Sequence, residues 1–463
     1  MNGPALTFAG GARTVTGSKY LLETERHKVL IDCGLFQGLS SLRRRNWAPP
    51  PFSLTDIDAV VLTHAHLDHT GYLPLLAKRG WRGPVYATEG TARLAAIVLA
   101  DSAHLLEEEA EHAARGGWSK HRPPLPLYDR HDAERAVSLL RPVPSGQSVS
   151  IAADIDLYLG RAGHILGSAW AKLTVTATDG SVRSVLTSGD LGRLGHPLLL
   201  QPEPRQQADV LLLESTYGDR RHQVEGTREQ FAEAITRTAH RGGSVLIPAF
   251  SVDRTEVILT ELARLRGNGE IPDLPIVLDS PMALACLRVY REALEGRWPE
   301  MRTDPILEAA LDPARLIEVS DATESAKWND PRMSTIIISA SGMATGGRVM
   351  YHLRGMLPNY RHTIAVVGFA AEGTRARQLV DGARALKIHG RYVPVRADVI
   401  TLDAFSAHAD ADELVAWATA APPPDTCYVV HGEERSSLSL AARLEAGAGW
   451  TAVVPREGER ILL

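Results

Sequence analysis

A chain of 463 residues is too long for one ordinary hydrophobic core, and 44% hydrophobic with 23% charged residues is the composition of a globular protein of two domains. No apolar stretch can span a bilayer, residues 1–5 lack the start of a secretory signal, and three distant cysteines (Cys33, Cys286, Cys427) argue against a disulfide framework or a cysteine zinc site, so the expected setting is the cytoplasm, away from membranes. A net charge of −5 gives no overall pull toward nucleic acid, so a polyanion would need a local basic groove.

Residues 6–9, 19–23 and 27–32 read as short strands at an antiparallel sheet edge. The glycine-rich loop 10–19 lacks a Gly-Lys-Ser/Thr ending and leads into a strand, so it is no phosphate-binding loop; its expected place is the mouth of the site. Residues 57–63 form a buried, β-branched strand, and 70–76 a turn into a helix. Between them stands His64-Ala65-His66-Leu67-Asp68-His69, four ligand types of the kind that suit zinc within six residues. Histidines two apart face different sides of a helix, so a loop after the strand is the geometry that lets them converge. Residues 88–141 read as helical, with His104, Glu108 and His112 on a charged, solvated face rather than at a metal. Strands follow at 149–159, 171–177, 184–188 and 210–214.

Beyond Glu214 the pattern changes. Strand then helix recurs at 243–248 and 252–265, at 274–278 and 282–294, at 334–339 and 347–356, and at 362–369 and 374–379. That alternation predicts an α/β unit on a mainly parallel sheet. From about residue 387 strands return, carrying His408 and His431. The expected organisation is a first domain of residues 1–217 and 384–463, interrupted by an inserted domain of residues 218–383.

A two-metal hydrolase needs about seven or eight ligands, so the six-residue run must be completed from afar. His164, Asp190 and His431 are the candidates, each beside an apolar run and flanked by glycine, which lets a backbone pass close to a bound ion. The series Asp32, His64/His66/Asp68/His69, His164, Asp190 resembles the metallo-β-lactamase superfamily. Glu214-Ser215-Thr216-Tyr217-Gly218, Phe405-Ser406-Ala407-His408-Ala409-Asp410 and Val430-His431-Gly432-Glu433 resemble the three motifs of its β-CASP branch of RNA-processing nucleases. The resemblance covers nearly the whole chain.

It implies an αββα metallo-β-lactamase sandwich with an inserted β-CASP domain, and two zinc ions. His64, His66 and His164 would hold one, Asp68, His69 and His431 the other, with Asp190 bridging and Asp32 orienting the ligand loop. The catalytic set is then His408, Glu214, Asp68 and Asp32, with His408 as general acid kept protonated by Glu214. Spacing alone does not separate His408 from a ligand. The implied reaction is two-metal hydroxide hydrolysis of single-stranded RNA, as endonuclease or 5′-exonuclease, leaving 5′-phosphate and 3′-hydroxyl. Substrate contacts are expected from Arg254, Ser341, Gly342, Arg348, Arg375 and Ser406, with Arg377 adding charge near a glycine-rich helix start. The rivals are a DNA nuclease of the same branch, a small-molecule metallohydrolase and a non-catalytic scaffold. His431 favours RNA, because DNA-processing members typically carry valine there; the oligomeric state, a homodimer included, stays open.

Overall fold

The computed structural model describes residues 3–116, 123–222, 225–313, 315–368, 370–402 and 405–463. It divides into two compact units, Met1–Arg221 with His408–Leu463, and His222–Ala407.

In the first unit, apolar runs build two seven-stranded sheets. One orders Arg460–Leu462, Ala5–Gly10, Lys19–Glu23, Lys28–Ile31, Ala59–Val61, Val85–Ala87 and Leu140–Pro142, antiparallel up to Lys28–Ile31 and parallel beyond it. The other orders Ala452–Val453, Thr426–Val430, Val210–Glu214, Val182–Thr187, Ala169–Thr176, Ile155–Arg161 and Ser148–Ala152. The expected strand 149–159 is a hairpin, because the chain reverses at Asp154 between its two arms.

Leu6, Phe8, Ile31 and Val61 of one sheet share a single buried cluster with Leu159, Leu173, Val185 and Leu212 of the other. Each sheet also buries an outer face. Leu30, Val60 and Leu62 pack with Leu73, Leu99 and Ala133, and Leu211, Leu213 and Val429 pack with Leu414, Trp417 and Leu440. The layers run helix, sheet, sheet, helix, as the resemblance implied. Burial of each such side chain stabilises by about 1.5–3 kcal/mol.

The helical stretch expected over 88–141 is two helices, Glu89–Gly116 and Arg130–Ser138. Its residues 117–122 lie outside the described residues. Pro123, Pro124 and Pro126 lack the backbone donor a helix needs, and Asp129 starts the next helix by accepting from Asp132 N–H. His104 and Glu108 are exposed and pair at 3.4 Å, a solvated contact.

The second unit holds a six-stranded sheet in the order Leu316–Glu318, Ile276–Asp279, Ile336–Ser339, Val245–Pro248, Thr363–Val367, Asp398–Leu402, parallel at every pairing. The unit runs past residue 383 because Asp398–Leu402 extends this sheet beside Thr363–Val367. A separate antiparallel hairpin joins Ala385–Ile388 to Arg391–Pro394. Among the described residues no helix is long and apolar enough to cross a membrane.

Candidate metal centre

In the first unit, the candidate ligands come from loops at sheet-strand ends. The strand Ala59–Val61 ends just before Thr63, and the chain then delivers His64 and His66 before turning into the helix Leu67–Thr70, which carries Asp68 and His69. His164 follows the strand Ile155–Arg161, Asp190 follows Val182–Thr187, and His431 follows Thr426–Val430. Close backbone approach makes this convergence possible. A Cβ on Gly34 would sit 1.6 Å from the Asp68 carbonyl oxygen, and one on Gly192 would sit 1.8 Å from that of Gly163. Asp32 and His431 adopt positive φ, 56° and 48°, a conformation that non-glycine residues hold only where the surroundings enforce it.

Two donor groups result. His64, His66, His164 and Asp190 present ligand atoms within 4.8 Å of one another, and so do Asp68, His69 and His431. Asp190 stands between them. Its Oδ2 faces His64 Nε2 at 3.4 Å and His164 Nε2 at 3.7 Å, while its Oδ1 faces His69 Nε2 at 3.3 Å and His431 Nδ1 at 3.1 Å. Asp68 reaches His431 Nε2 at 3.5 Å.

Hydrogen bonds behind the ligands set their tautomers. Asp32 accepts from Thr63 N–H at 2.8 Å and from the Thr63 hydroxyl, which leaves that hydroxyl to accept from His64 Nδ1 at 3.1 Å. His69 Nδ1 donates to Asp32 Oδ2 at 2.7 Å. Both rings therefore turn the lone pair of Nε2 inward, toward the Asp190 carboxylate. His66 Nδ1 lies 3.2 Å from His64 Nε2 and 3.3 Å from His164 Nε2, and His69 Nε2 lies 3.1 Å from His431 Nε2. Nitrogen lone pairs and carboxylate oxygens facing one another at these distances repel unless a proton or a metal cation sits among them. The residues thus fit metal ions.

The electrostatics agree. Burial pushes His64 well below its ordinary pKa of 6.5 and His66 to about 4, so both keep a lone pair to offer. Burial also opposes charge on His69, but Asp190 and Asp32 outweigh it and raise its pKa well above 6.5. The surroundings call for positive charge at that point. Burial opposes ionisation of Asp190 too, yet His431, His69 and His64 hold its pKa well below the carboxylate range.

His408 lies at the edge of this cluster. Its Nδ1 is 3.4 Å from Glu214 Oε1 and 3.9 Å from Asp190 Oδ2, and its ring centroid is 4.4 Å from that of His164. Glu214 is fully buried, accepting from Leu191 N–H at 2.6 Å. These three residues form a third donor group, sharing Asp190. Three supporting residues escaped sequence reasoning: Thr63, Thr216, whose hydroxyl meets His431 Nδ1 at 3.3 Å, and Ser168, whose hydroxyl accepts from His164 N–H at 2.9 Å. Thr63 was the most findable, since it directly precedes the histidine run. The 10–19 loop also contributes, with Gly11 accepting from His431 N–H and Ser18 donating to the Asp68 carbonyl.

The expected substrate residues lie in the second unit, where the structure gathers no comparable cluster of them. Arg348 donates to Asp279 at 2.7 Å and to the carbonyls of Val319 and Ser320. Arg375 donates to the carbonyls of Lys387, Ala344 and Thr345. Arg377 pairs with Asp381 at 3.0 Å. Arg254 is buried beside Gly368, Ser406 is buried, Gly342 packs on Phe250, and the Ser341 hydroxyl bonds that of Thr345 at 3.1 Å.

The sequence matches the family models described as metallo-beta-lactamase superfamily over residues 13–157, Beta-Casp domain over 255–379 and Zn-dependent metallo-hydrolase RNA specificity domain over 392–455. It is 37% identical to a protein named Ribonuclease TTHA0252 from Thermus thermophilus, across 98% of each chain. The chain belongs to the β-CASP branch of the metallo-β-lactamase superfamily. Among other β-CASP relatives, the transcription termination factor FttA of Methanocaldococcus jannaschii is 32% identical over 94% of this chain and 68% of its own length. An RNase J-like protein of the same organism is 30% identical over 94% of both. As a β-CASP protein with this donor set, the chain is a metal-dependent hydrolase.

Proposed function

We propose that the protein is a ribonuclease that hydrolyses phosphodiester bonds of single-stranded RNA at a centre of two zinc ions. The observation that carries this is the division of Asp190, one oxygen toward His64 and His164 and the other toward His69 and His431. A carboxylate so placed suits a bridge between two cations, and a donor set of imidazole and carboxylate without thiolate suits zinc. His64, His66 and His164 would hold one ion, and Asp68, His69 and His431 the other. The RNA specificity region over 392–455 and relatives named as ribonucleases support RNA as substrate.

Two zinc ions held there would neutralise phosphate charge and lower the pKa of the attacking water. The chain's own residues do the rest. Asp32 fixes the direction of His69, and Thr63 fixes that of His64. With Nδ1 of His408 turned to Glu214, proton delivery falls to Nε2. As the phosphorus–O3′ bond breaks and hydroxide, formed when water gives its proton to solvent, bonds phosphorus, the His408 proton goes to the departing 3′ oxygen and is later replaced from solvent, leaving a 5′-phosphate and a 3′-hydroxyl. Cys33, Cys286 and Cys427 are buried and in no disulfide, which accords with a reducing cytoplasm.

The test pairs elemental analysis of the purified protein with cleavage of matched 5′-labelled RNA and DNA strands. About two zinc ions per chain and RNA-selective cleavage, both lost in an Asp68→Ala, His69→Ala variant, are expected. Metal-replete protein that cuts neither strand, or cuts DNA equally, would overturn the reading.

A further inference from the structure

The hairpin Ala385–Ile388/Arg391–Pro394 has no place in the chemistry above. Its inner residues Leu386, Ile388 and Val393 join the buried cluster formed with Leu353, Met356 and Leu357. Its outer face carries Lys387 directly opposite Tyr392, whose ring is 76% exposed. At the turn, His389 packs its ring 4.6 Å from that of Tyr351, itself 45% exposed on the helix Val349–Met356. Arg391 is exposed beside the turn, although its pairing with Ile388 sets it on the other side of the strand from Tyr392, and Arg354 is exposed three residues after Tyr351, on the same helical face.

The charge here contrasts with that of the whole chain. The protein is net acidic, yet residues 331–371 contain no Asp or Glu while including Arg332, Arg354 and Arg361, besides Arg348, which Asp279 neutralises. Residues 382–397 again contain none, with Arg384, Lys387, Arg391 and Arg396. A single exposed aromatic is ordinary on a protein surface, whereas exposed tyrosines beside exposed cations have the composition of a partner-binding surface. A protein partner matching this basic surface would be acidic, whereas a single nucleic-acid strand supplies both its needs, flat bases for the tyrosine ring and phosphates for the cations.

We infer that this face of the hairpin, with Tyr351 and Arg354 beside it, is a stacking platform for single-stranded RNA, separate from the metal centre. Tyr392 stacks a base, Lys387 meets a flanking phosphate, and Arg391 adds positive charge from the hairpin's edge beside the turn. The inference rests on the proposed RNA activity and adds a second binding region for that substrate. The recognition is sequence-tolerant, because every base offers a face to stack on.

The experiment measures fluorescence anisotropy of a labelled single-stranded RNA 20-mer, in a His408→Ala background that slows turnover, across a range of salt. Tyr392→Ala should weaken binding roughly tenfold, and Tyr392→Phe, which keeps the ring, should restore it. Lys387→Gln with Arg391→Gln should lower the salt slope by roughly 0.7 for each phosphate that is no longer neutralised. With 5-iodouracil in the strand, crosslinks should map to Tyr392. The substitutions are at exposed positions, and circular dichroism confirms folding. Unchanged affinity and slope in folded variants, while the unsubstituted protein still binds and cleaves RNA, would overturn the platform alone and turn attention to an acidic protein partner. If the unsubstituted protein neither binds nor cleaves RNA, the ribonuclease reading fails and the platform with it.

Discussion

Two buried carboxylates, Asp190 in the first unit and Asp279 in the second, meet their surroundings in opposite ways. At the metal centre of the first, rings and carboxylates are aimed at one another, His66 Nδ1 meeting two other imidazole nitrogens and Asp190 meeting four rings. In the second, buried Asp279 is answered inside the protein. Asp279 is fully buried and accepts from Arg348, from His352 at 2.7 Å and from Ser325 at 2.5 Å. A set of groups that satisfies itself holds a fold together; a set that does not is waiting for a ligand. The difference locates chemistry in the first unit and assigns Arg348 a structural task that its residue type alone does not reveal.

The contrast is sharpest at Asp190. On the proposed two-zinc reading, Asp190→Ala should remove the shared carboxylate, lowering bound metal and reducing cleavage by roughly a thousandfold or more, as both ions would lose a ligand. Elemental analysis beside single-turnover cleavage checks both. Full retention of metal would mean that the facing rings are satisfied without the bridge.

His408 comes next. His408→Ala should keep the metal content while slowing turnover by roughly a hundredfold. Glu214→Gln should give a smaller loss, because its partner ring stays in place but loses its carboxylate. Loss of zinc in step with activity in His408→Ala would instead make His408 a ligand of the third donor group with Asp190 and Glu214.

In the second unit, Arg348→Ala should break the ion pair to a carboxylate that remains buried, destabilising the unit by about 3 kcal/mol. Urea unfolding reads this. Because the guanidinium already serves Asp279 and two carbonyls, the salt dependence of RNA binding should not change. A stable Arg348→Ala protein with a flattened salt slope would reverse the comparison, making this arginine a phosphate contact.

These regions also differ in how far the sequence exposes them. The ligand run is local and chemically rare, so His64, His66, Asp68 and His69 are visible without a structure. His164, Asp190 and His431 are detectable because each closes an apolar run beside a glycine. The layered fold follows from strands that alternate singly in one part of the chain and with helices in another. Thr63, Thr216 and Ser168 stayed hidden because hydroxyl residues are common and only their distances distinguish them. The arginines misdirect for a related reason: what a guanidinium meets is decided by the fold, and Asp279 is 69 residues from Arg348 in the chain. The end of the insertion is obscure because Asp398–Leu402 is a strand like those of either unit, and only its pairing shows where it belongs.

Lys19 tests the comparison from inside the first unit, at the end of the 10–19 loop. It is 3% exposed, donates to the carbonyls of Gly17 and Gly34, and holds its ammonium 4.5 Å and 4.7 Å from the centroids of Phe36 and Tyr72. Burial lowers its pKa from 10.5 to about 8, with Arg45 adding to the fall and Cys33 opposing it. The unfolded lysine keeps its proton up to about pH 10.5, whereas the folded one releases it near 8. Between those values the unfolded state binds more protons, so the contribution of this residue to stability rises with pH. Lys19→Met should abolish that rise, a difference of up to about 3 kcal/mol between pH 7.5 and 10. Urea unfolding of both proteins at the two pH values measures it. Parallel pH profiles would show that two carbonyls and two ring faces satisfy a buried cation as fully as water does.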